Sequence, residues 1–459
     1  MYMHRVVLYK PIMVTDALLE LELSAATGGF PMEGLGRLGV HLPLAWVEEA
    51  LAQTGMASIR RRRLPAEQVV WLVIALALFR RTSMSEVLES LDLALPNGEA
   101  SAVSRGGISQ ARQRLGFEPL AVLFERTARA WSVQDARKHR WKGLSLWAMD
   151  GTTFRTPDSP ENRFVFGAQG YASGKAASYP QVRGVTLTAL PTRLVAEAAF
   201  GEYDINEMRY AEELVPRIPD HSLTVFDKGF FSAAILLGLC LKGEQRHFLI
   251  PSKAHTKWEV LSGTPDDAVV RMKVSPQARA KHSELPETWE ARAVRTILPD
   301  GNERILLTSL LDRRLFRACD IAACYLRRWE IETSYRELKQ TMLGGPLTLR
   351  SQDPKGIHQE IWGALIAYNL VRLEMSKAAL EAKALPTDLS FTRALHYIQH
   401  ELLFAAATRA YGNIPAMLHR LREQLKEALK EERRGRQCPR HVKSRPSKYD
   451  VRFVLKNPK

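Results

Sequence analysis

The sequence predicts an α/β core carrying a β-rich excursion, flanked on both sides by helical regions. Three observations carry that expectation. Helical patterning runs up to about Trp141 and resumes from Ala318, short apolar runs of strand type dominate between Leu144 and Phe316, and two of those runs end at an aspartate close to a glycine. The 459 residues allow about three domains, and 46% hydrophobic with 25% charged residues is ordinary globular usage, which excludes a disordered or collagenous chain.

In the first region the patterning predicts helices over 66–80, 83–93 and 108–115. The third follows Gly106-Gly107, and its glutamines and arginines suit the recognition helix of a helix-turn-helix, although many helical hairpins share that look. The middle region reads as a strand over 144–149, a hairpin of 184–190 and 193–200 across Pro191-Thr192, and a helix over 206–215. A buried-type strand over 223–226, a helix over 231–242 and a strand over 247–251 follow. Alternating runs at 269–274 and 290–297 mark an all-β excursion of about 252–312. The last region reads as helices over 318–342, 356–380, 390–403 and 415–432. The expected division is therefore 1–141 (helical), 142–345 (the α/β core with its β-rich excursion, its last helix over 318–342), 346–432 (helical) and 433–459 (a basic tail without helical period).

Charge narrows the partner. There are 65 Lys and Arg against 50 Asp and Glu, a formal net charge of +15. Residues 433–459 hold ten Lys and Arg and a single acid, Asp450, so +9 of the total sits in a Pro-interrupted tail suited to following a phosphate backbone without reading sequence. A second cluster, Arg60 to Arg63, precedes the first apolar helix, where cations oppose the helix dipole; a phosphate partner would offset them, and a solvated turn is the competing reading. The longest apolar run, 69–79, is far short of the ~20 residues that cross a bilayer, and no amphipathic Lys-rich anchor is present, so no membrane partner is expected. With four scattered cysteines, no CxxC pair and no secretory signal, the expected location is the cytoplasm.

Two acids stand in like places. Asp150 follows Leu-Ser-Leu-Trp-Ala-Met and precedes Gly151, and Asp227 follows Leu-Thr-Val-Phe with Gly229 two residues on. A carboxylate ending a buried strand is costly to desolvate unless it meets a cation or donors, and ligands gather at strand ends in α/β sheets; Asp-Gly is also ordinary turn chemistry. On the helix expected over 318–342, a rotation of ~100° per residue places Tyr325, Arg328, Glu332 and Lys339 within one narrow wedge. On its own that wedge is equally a surface ladder of ion pairs.

Together, the spacing of Tyr325, Arg328, Glu332 and Lys339, with Asp150-Gly151-Thr152 and Asp227-Lys228-Gly229-Phe230-Phe231 upstream, resembles the signature of the DDE transposases from one large branch of bacterial insertion sequences. Asp227 and Glu332 are 105 residues apart, room for the β insertion this branch carries, and the similarity extends over about 50–403. The resemblance implies a ribonuclease H-like catalytic core in which Asp150, Asp227 and Glu332 hold two Mg²⁺ ions, with Mn²⁺ as a substitute. Three converging carboxylates repel one another without divalent cations, and hard oxygen donors favour Mg²⁺ or Mn²⁺ over zinc.

It further implies cleavage at the ends of a mobile element and joining to target DNA, cut-and-paste, with a hairpin often formed on the element end. Double-stranded DNA, as terminal inverted repeats and as target, is then the partner, bound by a homodimer, with Tyr325, Arg328 and Lys339 on its phosphates. Lys228 could touch a phosphate or simply face solvent. The family's hairpin step uses an aromatic residue that catches a flipped base; Trp258 and Trp289 in the β excursion are candidates and equally core residues. A ribonuclease H-like nuclease or resolvase without strand transfer, or a catalytically inactive DNA-binding derivative, are the competing readings. Two motifs lead nowhere: 170–175 lacks the first glycine and the final Ser/Thr of a phosphate loop, so no nucleotide cofactor is implied, and His396 with His400 lacks a third ligand.

Overall fold

A computed structural model of the chain describes residues 42–57, 64–91, 93, 103–136, 138–170, 175–297, 301–345, 349–408, 421–429 and 452–453. The cluster Arg60 to Arg63, half of the helix expected over 415–432 and all of the basic tail except Arg452–Phe453 lie outside them. Those two residues pair antiparallel with Lys175–Ala176.

Five helices lead: α1 (Leu44–Gln53), α2 (Ala66–Leu78), α3 (Met84–Ser90), α4 (Arg105–Leu115) and α5 (Glu118–Ala136). Ser83 and Ser104 cap α3 and α4, each side chain accepting from a backbone N–H three residues on. The central unit follows as β1 (Ser145–Arg155), α6 (Pro160–Phe166), β2 (Gln181–Ala189), β3 (Val195–Glu202), α7 (Glu207–Leu214), β4 (Ser222–Phe226), α8 (Ala233–Leu241) and β5 (Arg246–Pro251). Next come β6 (Glu259–Thr264), β7 (Asp267–Lys273), α9 (Pro276–Lys281), β8 (Thr288–Ile297) and β9 (Glu303–Thr308). The chain then returns to helices: α10 (Ala318–Leu326), α11 (Trp329–Arg336), a π-helical stretch Glu337–Met342, α12 (Pro354–Glu381) and α13 (Phe391–Thr408).

The described strands from β1 to β9 form one mixed sheet of order β3-β2-β1-β4-β5-β9-β8-β7-β6. Strands β1, β4 and β5 run parallel; β2 is antiparallel to β1, and β3, antiparallel to β2, runs in the same direction as β1. That five-strand order fits the ribonuclease H-like arrangement expected from sequence. The excursion does not fold away from it: β9 pairs antiparallel with β5 through Thr308↔Leu249, so its four strands lengthen the same sheet.

Alternation along β1 sets the two faces. Trp147 and Met149 pack with Tyr210 and Leu214 of α7 and with Ile235 and Leu239 of α8. Leu146 and Ala148 pack the other way, with Tyr325, Ile331 and Tyr335. Asp150 continues that second series and so faces α11.

The helical regions from the two parts of the chain share one apolar cluster, which joins α2 to α12 and α13 and reaches Phe154 and Val195 at the sheet edge. Gln68 through Leu78 of α2 are all buried, which accounts for the long apolar run in a helix enclosed on every side. Ile108, Ala111 and Leu115 turn α4 into this cluster, and Arg112 Nε donates to Gln359 Oε1 at 2.8 Å. Within the recognition helix proposed from sequence, Arg112 is therefore tied inward, while Gln110 and Gln113 stay exposed.

Candidate active site

Two sequence expectations need correction before the site can be built. Asp150 does not end a strand: β1 continues five residues beyond it, to Arg155. What ends there is the parallel pairing. The β1–β4 register stops at Met149↔Phe226, after which β1 pairs only with β2, with Asp150 opposite Thr186. Asp150 and Asp227 are thus neighbours one step past the last paired residues. Asp227 does terminate its strand, and its carboxylate accepts from Gly229 N at 3.2 Å as the cap of a short 3₁₀ turn, Lys228–Phe230.

The helix expected over 318–342 is not continuous either. It breaks between α10 and α11, where Arg328 N bonds Tyr325 O at 3.0 Å and Ile331 N bonds Arg328 O at 3.1 Å, the tighter i to i+3 pattern. It then widens into the π-helical stretch at Glu337, and Lys339 lies in that stretch. The wedge deduced from a uniform helix is therefore only approximate, although its four side chains remain on the sheet side.

Each is held in turn. Tyr325 is largely buried, hydrogen-bonded to Arg328, and burial raises its phenol pKa above the usual value. Arg328 Nη2 pairs with Glu332 Oε1 at 2.7 Å. Burial works against the Arg328 charge, but Tyr325, Glu332 and Asp227 outweigh it and hold the guanidinium pKa above its ordinary value. Lys339 Nζ donates to Thr152 Oγ1 at 2.9 Å and to Thr153 O at 3.4 Å. Burial lowers its pKa, against the pull of Asp150.

Asp150 records the convergence. Burial pushes its carboxyl pKa up to about 6; the Gly151 N–H and Arg328 oppose that, while the charges of Asp227 and Glu332 add to it. Asp150 therefore feels both of the other acids. The donor chemistry, carboxylate oxygens without competing Cys or His, suits a hard divalent cation. As placed, Glu332 is turned onto Arg328, and among the described residues no three His, Cys, Asp or Glu side chains form a ready-made metal cluster. Arg328 occupies the role of counter-charge, and the fit to a cation requires Glu332 to exchange partners.

Sequence reasoning missed the residues that join helix to strand. Tyr335 Oη donates to Asp150 O at 2.7 Å and sits 2.9 Å from Thr186 Oγ1. Ten residues beyond Tyr325, at ~100° each, Tyr335 falls about 20° from Arg328, so the same wheel could have found it. Behind it, Arg193 Nη1 donates to Glu337 Oε1 at 2.5 Å and Tyr368 Oη to Glu337 Oε2 at 3.0 Å. No short-range pattern marks that network, because its members lie on the β2–β3 connection, the π-helical stretch and α12. Of the remaining candidates, Trp289 is a core residue set edge-on to Phe248, and Trp258 packs half-buried on the same cluster. Lys228 is exposed. His396 and His400 lie ring to ring at 4.3 Å, without a third ligand among the described residues. No described helix is long and apolar enough to cross a membrane.

The same stretches are recognised by comparison with known proteins. The model of the insertion element 4 transposase N-terminal region matches residues 32–125, and that of the transposase DDE domain matches 141–370. The chain is 39% identical over 417 residues to the transposase InsG for insertion sequence element IS4 of Escherichia coli K12, covering 90% of this chain and 93% of that protein. It is 37% identical over 214 residues to the putative transposase InsZ of the same organism, covering 46% of this chain and 70% of that one. Among solved structures, the piggyBac transposase synaptic complex with hairpin DNA aligns at a TM-score of 0.43 and 10% identity, over 88% of this chain and 87% of that one. With most of its length matched to a transposase at that identity, the chain belongs to the DDE transposases of the IS4 family.

Proposed function

We propose that this transposase cuts the ends of its insertion sequence and joins them to target DNA by metal-dependent phosphoryl transfer, with Asp150, Asp227 and Glu332 as the catalytic and metal-holding residues. The observation that carries this reading is the β1–β4 register, which leaves two carboxylates side by side, one of them already burdened by the charge of Glu332. Two Mg²⁺ ions, replaceable by Mn²⁺, would supply charge neutralisation and an activated oxygen nucleophile for in-line attack at phosphorus.

The chain's own groups do the rest. Asp150, placed on a central strand and braced by Tyr335, gives the site a fixed floor. Glu332, now paired with Arg328, would hold the cation together with Asp150 and Asp227, and the Arg328 guanidinium would be a donor to a DNA phosphate beside the cleaved bond. Lys339, held over Thr152 and Thr153, supplies a second cation to the same strand, and Tyr325 buttresses Arg328. The helical region 1–141 and the tail 433–459 serve as further DNA-binding surfaces, 252–312 as the family's β insertion, and the DNA-bound unit as a homodimer engaging inverted repeats.

The test is incubation of the full chain with the inverted repeats flanking its own gene, with and without Mg²⁺. Asp150→Ala, Asp227→Ala and Glu332→Ala should each abolish cleavage while DNA binding persists; cleavage retained by any of them refutes that residue's assignment. Nicking without strand transfer would move the reading to a nuclease or resolvase, and binding without Mn²⁺-dependent nicking to an inactive derivative.

A further inference from the structure

Beyond the wedge, three arginines from two separate stretches line one pocket, and a fourth from a third stretch lies near them. Arg80 and Arg81 follow α2, Arg112 belongs to α4, and Arg350 precedes α12. A pocket of about 560 Å³ is lined by Arg80, Arg81 and Arg350, with Pro157, Gly344 and Gln352 among its walls. Among the described groups that act on Arg350, Glu360 is the acid. Its oxygens are already taken by Arg350 N at 2.9 Å, Ser351 N at 2.7 Å, Ser351 Oγ at 2.5 Å and Arg80 Nη1 at 3.3 Å. Arg112 reaches it only at 3.9 Å. The Arg350 guanidinium itself bonds a backbone oxygen, Thr82 O, at 3.1 Å, and Arg81 is exposed without a partner among the described residues. Burial, with the neighbouring charges of Arg80 and Arg112, pushes the Arg350 pKa down to about 10. Glu360 thus stands among Arg80, Arg112 and Arg350, while Arg81 lines the pocket itself, a setting in which a bound anion would meet guanidinium donors.

The pocket has a definite place relative to the acids. Leu349 N donates to Arg155 O at 2.8 Å, so the Arg350 segment is fastened to the far end of the strand that carries Asp150. Arg155 lies five residues beyond Asp150 along β1 and Pro157 two further on, a run of about 17 to 23 Å at an extended ~3.3 Å each. Lys339 lies between, over Thr152 and Thr153. For a duplex lying along β1, at a rise of ~3.4 Å per base pair, a phosphate in the pocket would sit about five to seven base pairs from the cleaved bond.

We propose that Arg80, Arg81 and Arg350 form a DNA backbone-phosphate site that grips the cleaved duplex about five to seven base pairs from the scissile phosphate. The proposal rests on the catalytic reading above for the position of the cleaved bond. It is tested with the full chain in EDTA, so that cleavage plays no part, on a duplex bearing the inverted repeat flanking its own gene. Single uncharged methylphosphonates are walked along each strand. Wild type should lose affinity at phosphates about five to seven positions from the cleavage point. Arg81→Ala with Arg350→Ala should lose that footprint alone and lower the salt slope of binding by about two, at ~0.9 per phosphate contact. Arg81→Ala by itself, at an exposed position that spares the fold, should lower it by about one, and Arg350→Lys should retain the slope.

A footprint unchanged in the double variant, or centred elsewhere, overturns the pocket. Loss of the footprint to free inorganic phosphate at millimolar levels, with a slope that does not respond to the double variant, would mark a small-anion site and equally overturn it. Failure of the catalytic reading shows separately, as metal-dependent cleavage that survives Asp150→Ala.

Discussion

Tyr335 reaches across from its helix to donate a hydrogen bond to the backbone carbonyl oxygen of Asp150, at 2.7 Å. The contact fixes the helix bearing Glu332 to the strand bearing Asp150 through backbone, and so leaves both carboxylates free for other partners. Thr186, directly opposite Asp150 in the register, holds the same phenol from the other side.

Tyr335→Phe keeps the ring in its apolar setting and removes both hydrogen bonds. The expected cost is about 1 kcal/mol of stability, while single-turnover nicking of the inverted repeat falls about tenfold or more through misplacement of Glu332. Melting temperature and nicking rate, measured together, check this. An unchanged rate in a folded variant would show that the bond does not position the acids.

Without divalent metal, Asp150 gives the fold a pH dependence of definite sign. Its pKa rises from 3.8 to about 6 on folding, chiefly through burial. The stabilisation this implies is full below about pH 4 and is lost as pH rises through about 6, a swing of up to about 3 kcal/mol. Asp150→Asn in EDTA should therefore melt higher than wild type at pH 7 and converge with it near pH 4. An advantage that grows toward acid would contradict the assignment.

Glu337 carries the opposite kind of risk. Arg193 and Arg372 are buried around it, with Arg372 Nε also on Thr192 O at 2.7 Å. Glu337→Ala leaves the buried Arg372 facing Arg193 without the anion between them, though Arg193 Nε keeps Glu330 Oε2 at 2.6 Å, and should cost about 3 to 5 kcal/mol in urea unfolding. A loss below about 1 kcal/mol would mean that solvent already reaches the network.

Gly363 marks the closest approach of α12 to α2. A Cβ there would stand 2.6 Å from Val73 Cγ1 and 3.2 Å from Val73 O, so backbone as well as side chain must give way. Gly363→Ala should destabilise by about 1 to 3 kcal/mol, read as a lower urea midpoint with unchanged slope. Neutrality would show that the two helices slide freely.

Much of this was legible along the chain, because strands and helices announce themselves by local period and the signature acids by local context. Asp227 was read correctly as a strand end, since Phe226 closes a fully buried run. Asp150 was not, because Thr152 and Phe154 continue the alternation on a strand that has lost its parallel neighbour but kept β2, and pairing is not written in one strand. The broken helix escaped for a similar reason: nothing in Arg327-Arg328 forbids helix, and packing of Tyr325 and Ile331 on the sheet imposes the tighter turn. The Arg193–Glu337–Arg372 network and the arginine pocket unite residues more than a hundred positions apart, beyond any local pattern.

The shared cluster of α2, α12 and α13 has a practical bearing on how the molecule can be dissected. A fragment trimmed to the sheet and α11 would expose the apolar flank of β3, and the leading helices cut loose would have no greasy partner to enclose Trp71 and Ile74. Scission in the exposed turn at Ser283–Glu284 should consequently leave two pieces that stay together through gel filtration and part only in denaturant.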